Sequence, residues 1–416
     1  MKLRKFIIIF LIAIFALGMG IYIMSKQEAI EVNTDVQPGE ISSNSMTGSI
    51  FSSVLSGSDP GISANSISIN DLDLQMPQEE AKAVKVKGIY VTGLMAGSAH
   101  MDDLITLVDE TELNAMVIDV KNDTGNITYE MDLDSVGNIG AGNNNIPDMK
   151  ALMAELKEHD IYTIARIVCF KDPCLAASRP DLAIKRADGS LLTDTDGLAW
   201  VNPYHEDVWE YLTDVAIAAW EMGFDEVQFD YVRFPVGRDA DGADYGVDTN
   251  TYTKEQAISD FLEYAADRLH DKKIRFSADV FGTIIGSEID KKYTGQNYQT
   301  IGSTVDVVSP MIYPSHYKNH VFGLDVPDAH PYETVLYALQ ASSKELEGIN
   351  EEKRAAVRPW LQSFTATWVP GHISYGGEEI RKQIQAVYDA GYDEWILWNA
   401  SNRYPREGLE PGNSIQ

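Results

Sequence analysis

The chain has 416 residues, with 63 acidic against 33 basic side chains and a formal net charge of −30. A field of that sign repels nucleic acid and anionic lipid headgroups, so a nucleic-acid partner is excluded and most of these acids are read as a solvated surface. The length suits one large domain with appendages rather than several domains.

The first element is apolar. Lys2, Arg4 and Lys5 precede the run 6–24, which holds no charged residue, and only Lys26 follows closely. A run of that length is long enough to cross a bilayer core. Basic residues on its N-terminal side put the rest of the chain outside the cytoplasm. With no A-x-A cleavage pattern and no lipobox-like cysteine, residues 1–26 read as an uncleaved single-pass anchor rather than a removed signal peptide. Residues 27–84 are rich in Ser, Asn, Gly and Asp, show no sustained period, and read as a stalk.

Residues 85–410 have a different texture. Eight strand-like runs fall at 86–93, 115–121, 162–168, 226–232, 274–280, 305–313, 357–363 and 394–400. Amphipathic helical patterns separate them, except around 290–303, where no convincing helix is seen. Regular alternation of this kind predicts a parallel sheet, and eight units in about 320 residues predict a closed (β/α)8 TIM barrel. No G-x-G-x-x-G follows the first strand, which argues against an open dinucleotide-binding sheet.

Barrel active sites lie at the C-terminal ends of the strands. The polar groups predicted there are Asp119 and Lys121 on strand two, Arg166 on three, Asp230 and Arg233 on four, and Asp279 on five. Tyr313 follows on six, Gln362 on seven, and Trp398 and Asn399 on eight. Period-2 alternation puts Asp230 with Gln228, and Asp279 with Ser277, on the polar face of neighbouring strands. Each acid alone reads equally well as a helix cap; two at matching depth point to chemistry. Adjacent strands lie about 4.8 Å apart, so inward carboxyls there approach the roughly 5 Å spacing of retaining glycosidases. Asp230 is the expected nucleophile, kept ionised by Arg166 or Arg233, and Asp279 the expected acid/base, with Asp119 in reserve. Tyr90, Tyr231, Tyr313, Trp360 and Trp398 are candidate sugar-stacking rings, each of which reads otherwise as core.

Other signals are weaker. Cys169 and Cys174 are spaced for a local disulfide but lack the further ligands of a zinc site. Asp239, Asp241, Asp244 and Asp248 lack EF-hand spacing and read as a solvated loop. His316 and His320 have the i, i+4 spacing of a zinc pair but follow a strand among Pro and Tyr, so a loop pair is favoured. Asp306 and Glu394 begin strands six and eight, the stability end of a barrel.

The blocks "VKGIYVTG", "MVIDVKNDTG", "ARIVCFKD", "DEVQFDYVRFP", "RFSADVFG", "VSPMIYPSHY" and "EWILWNASNRY" together resemble a glycoside-hydrolase family once described only as a domain of unknown function. Its (β/α)8 barrels are similar to amylase-like glycosidases. The resemblance covers roughly residues 85–405, with "FDYVRFP" its most specific part. It implies action on a cell-wall or extracellular polysaccharide outside the cytoplasm, and Asp230 as the leading catalytic residue. Amylase-type retaining enzymes place a Glu at the end of strand five, where this chain has Asp279. The expectation is a monomeric, membrane-anchored retaining glycoside hydrolase without metal or other cofactor. Alternatives are a non-catalytic glycan-binding barrel and, behind it, a metal-dependent polysaccharide deacetylase built on the histidine pair.

Overall fold

The structure, a computed structural model, describes residues 84–412 apart from 238, 239 and 241. The expected anchor and the stalk up to residue 83 lie outside the described residues, as do Asp239 and Asp241 of the acidic loop. Among the described residues no helix is long and apolar enough to cross a membrane.

Eight parallel strands close on themselves. They are β1 (Lys87–Val91), β2 (Ala115–Lys121), β3 (Tyr162–Val168), β4 (Glu226–Asp230), β5 (Arg275–Phe281), β6 (Val307–Ile312), β7 (Trp360–Gln362) and β8 (Trp395–Trp398). Each pairs with its sequence neighbour, and β8 returns to β1 through Lys87↔Trp395. The β6–β7 seam runs through Trp360↔Met311, with a two-residue strand, Ala356–Val357, pairing with β6 just below. Every residue of β2 and β4 is buried, because the strands have helices on one side and a filled lumen on the other. This explains why the runs read as almost continuously apolar.

The strand connections carry α1 (Met101–Glu110), α2 (Met149–Glu158), α3 (Glu206–Met222), α4 (Lys254–His270), α5 (Glu288–Thr294), α6 (Pro331–Leu346) and α7 (Gly377–Asp389). Local chemistry starts several of them: Asp148 caps α2, Thr253 caps α4 and Ser287 caps α5, each accepting a backbone N–H of the first turn. The unit without a helical pattern holds a 3-10 turn, Gly282–Ile284, the seven-residue α5 and a single turn, Tyr298–Ile301.

Two apolar layers result. One fills the annulus between strands and helices; the other, with Val117, Ile164, Trp360 and Ile396, fills the lumen. Below the lumen lies an ionic floor. Arg358 donates to Glu226 at 2.7 and 3.2 Å and to Glu394 at 2.8 Å, and Ser277 and Tyr162 donate to Glu226 at 2.7 and 3.2 Å. Glu394 therefore belongs to the stability end, and Asp306 does too, accepting the Phe276 N–H at 2.9 Å. At the opposite end the C-terminal segment grips β1. Asn402 and Tyr404 both donate to the Tyr90 carbonyl, at 2.9 and 2.6 Å.

Candidate active site

The mouth of the barrel is organised by one buried guanidinium. Arg166, near the end of β3, donates through Nε and Nη2 to Asp230 Oδ2 at 2.9 and 2.6 Å. Through Nη1 it reaches Asp119 Oδ1 at 2.6 Å, and through Nη2 the half-exposed Asp123 at 3.3 Å. Burial works against the Arg166 charge, but Asp230, Asp119 and Asp123 outweigh it and hold its pKa well above the usual value.

Asp230 closes β4 with both oxygens engaged. Besides the two Arg166 bonds on Oδ2, its Oδ1 accepts the N–H of Tyr231 at 2.6 Å. All three bonds come from N–H donors, which a carboxylate oxygen accepts. The Tyr231 bond depends on a left-handed backbone, φ 51°, at a bulky residue, the kind of local strain that collects at functional sites.

Asp279 stands opposite. The register Gln228↔Ser277 and Phe229↔Ala278 carries Asp230 and Asp279 to matching height as the next residue on each strand. The environments nonetheless differ. Asp279 Oδ1 accepts the Trp360 indole N–H at 2.7 Å, whereas Oδ2 is buried with no hydrogen-bond partner. Burial, and next the Asp230 charge, push its pKa well above the carboxylate range. Asp119 is intermediate: burial raises it to about 6 against the pull of Arg166, while the Tyr90 hydroxyl donates to its Oδ2 at 2.6 Å.

Aromatic rings frame this cluster. Tyr90 stacks on Trp398 with centroids 4.0 Å apart, and the Arg166 guanidinium lies 5.5 Å from each ring. Trp360 meets Trp398 edge-on at 5.5 Å. Tyr313 follows β6 directly, and its pKa is raised by burial and then by Asp279 and Asp230.

Four predicted residues serve other ends. Lys121 is fully buried, donating to the Val168 carbonyl at 2.6 Å and pairing with Asp172 at 2.9 Å. A register shift in β2 between Asp119 and Lys121 takes it off the expected luminal face. Arg233 forms no ion pair with Asp230. The left-handed turn at Tyr231 ends the strand alternation, and the Arg233 guanidinium packs 4.9, 5.0 and 4.6 Å from the Trp200, Tyr231 and Phe281 rings. Gln362 and Asn399 are committed to loop geometry: Gln362 ties together the loops after β6 and β7, and Asn399 bonds the Ser363 and Arg403 carbonyls.

The sequence reading missed Asp123, two residues after Lys121 in a block it had singled out. It also missed Lys171, which lies 5.4 Å from the Tyr231 ring centroid and pairs with Asp194 at 3.0 Å and Asp196 at 3.5 Å. Cys169 and Cys174 are free thiols. His316 and His320 lie on the exposed loop after β6; among the described residues no three His, Cys, Asp or Glu side chains are grouped to hold a metal ion.

Residues 88–404 match a family model described as "Putative glycosyl hydrolase domain". Among solved structures the chain is similar to a hypothetical protein from Ruminiclostridium thermocellum, at 37% identity over 46% of this chain and 97% of that one, with a TM-score of 0.43. It is also similar to the PgaB (BpsB) glycoside hydrolase domain from Bordetella bronchiseptica, at 12% identity over 76% of this chain and 94% of that one, TM-score 0.51. A third is the spore cortex-lytic enzyme SleL from Bacillus megaterium, at 13% identity over 79% and 74%, TM-score 0.46. No curated protein matches the chain.

Proposed function

Because this chain belongs to the glycosyl hydrolase family whose model spans residues 88–404, we propose that it cleaves a polysaccharide by double displacement with retention, using Asp230 and Asp279. The observation that carries the reading is the asymmetry of two carboxyls at one height. Asp230 takes three N–H donors, while Asp279 has a raised pKa and a bare Oδ2. Environments that differ in this way, N–H donors around one carboxyl and burial around the other, assign one as nucleophile and the other as acid.

In the first step a carboxylate oxygen of Asp230 attacks the anomeric carbon while Asp279 gives its proton to the departing glycosidic oxygen. The bond to the aglycone breaks as the ester to Asp230 forms. Asp279, now ionised, takes a proton from water, and the hydroxide attacks the same carbon and frees Asp230. Arg166 holds the nucleophile in place throughout and ties it to Asp119. The basic residues ahead of the apolar run 6–24 support an anchored enzyme whose barrel works on glycans outside the cytoplasm.

The test is reducing-sugar release from a panel of cell-wall and extracellular polysaccharides by the purified full chain. Asp230→Asn should abolish turnover, and Asp279→Asn should lower kcat by about 10²–10⁴-fold, the usual range for a general acid. With an activated aryl glycoside and added azide, Asp230→Gly should give a glycosyl azide of inverted configuration and Asp279→Ala one of retained configuration. Equal sugar release by wild type and both amide variants would sink the assignment.

A further inference from the structure

Beyond the carboxylates, a row of rings leads from Tyr313 to the rim. Tyr313 is buried, with Phe364 5.9 Å away edge-on; Phe364 in turn stacks on Trp368 at 6.0 Å and 20°. His316 also packs edge-on against Tyr313 at 5.1 Å. All four belong to the end of β6 or to the loops after β6 and β7, on the catalytic side of the barrel.

Phe364 and Trp368 are both partly exposed, and neither is itself a member of the annular or the luminal core, although Phe364 rests on Tyr313 at the edge of the latter. Part of each ring's surface is left open to solvent. The row is nevertheless held firmly. The fully buried Gln362 accepts the Ser315 N–H at 3.0 Å and donates to the Phe364 carbonyl at 3.1 Å and to Asp328 at 2.9 Å. Tyr375 adds two bonds, donating its N–H to Thr365 at 3.0 Å and its hydroxyl to the Asp328 carbonyl at 2.9 Å. Partly exposed rings on a braced loop, continuous with a glycosidase mouth, match what a sugar needs. The C–H face of a pyranose lies flat on an aromatic ring, and a pre-set platform avoids the cost of ordering a loop on binding.

We propose that Phe364 and Trp368 form an outlying carbohydrate subsite, on which further sugar units of a polymeric substrate lie after leaving the catalytic pocket. The inference rests on the glycoside hydrolase reading of the barrel. It makes chain length, rather than the scissile sugar alone, a determinant of recognition, and it gives Gln362 a positioning role.

The experiment measures binding by calorimetry. The Asp230→Asn full chain, which should not turn over, is titrated with the biose and hexaose of the cello-, chito- and malto-oligosaccharide series. The expected result is hexaose binding at least tenfold tighter than biose in one series. In the Asp230→Asn background, Trp368→Ala should reduce that hexaose-to-biose ratio about tenfold, and Trp368→Phe should restore most of it. Circular dichroism melts confirm that the Trp368 variants are folded. A ratio unchanged by Trp368→Ala, or no length preference in any series, overturns the subsite. The first result with wild-type turnover intact overturns the subsite alone. A length preference without turnover of any glycan by wild type overturns the hydrolase reading and leaves the subsite standing.

Discussion

Arg166 sits between two carboxyls and donates to both, and the rest of their surroundings differ. Asp230 takes two of its N–H groups; Asp119 takes one and the Tyr90 hydroxyl. Burial raises Asp119 to about 6. In the unfolded chain the same group titrates near 3.9, so between those values the folded state binds more protons than the unfolded one. Stability from this group is therefore full below about pH 4 and is lost as pH rises through 6, by up to roughly 3 kcal/mol. Asp119→Asn cannot ionise and should lose that slope. Thermal melts from pH 4 to 7 should show the variant gaining on wild type as pH rises, with a plateau above 6.5. Parallel curves for the two proteins would refute the burial argument. Asp279 is common to both, so its own raised pKa cancels in the comparison.

Whole strands were easier to read than individual strand ends. The eight predicted runs overlap the eight barrel strands because burial on both faces writes a long apolar signature into sequence. Period-2 alternation also placed Asp230 and Asp279 at equal height, as the Phe229↔Ala278 register has them. Position at a strand end misled at Lys121 and Arg233, where a register shift in β2 and a left-handed residue after β4 turn the side chains away from the acids. Long-range partners left no local signal: Glu226 and Arg358 are 132 residues apart yet share the buried floor. Breaking a buried pair strands a charge, so Glu226→Ala should destabilise by about 3–5 kcal/mol in urea unfolding. Glu226→Gln combined with Arg358→Met, which removes both charges, should cost clearly less than the sum of the two single changes. Additive losses would mean that the floor is not coupled as its hydrogen bonds imply.

At the scale of the whole molecule, two sequence features remain outside the barrel chemistry, the charge of −30 and the run 6–24. They pull in opposite directions at a membrane. The acidic surface is repelled by anionic headgroups, so attachment would have to come from the apolar run alone, with the barrel held off the surface. Electrostatic attachment would be released by high salt; attachment by a spanning helix would not. The full chain is therefore expected to sediment with membranes at both low and high salt. Placing Ile12→Asp and Phe15→Arg together near the middle of the run should cost about 2.5–3.5 kcal/mol per charge for insertion and move the protein to the soluble fraction. Sugar release by the redistributed protein should persist on soluble glycans, since neither substitution touches residues 88–404. Continued sedimentation of the double variant, or release of the unsubstituted chain by salt alone, would locate the attachment elsewhere.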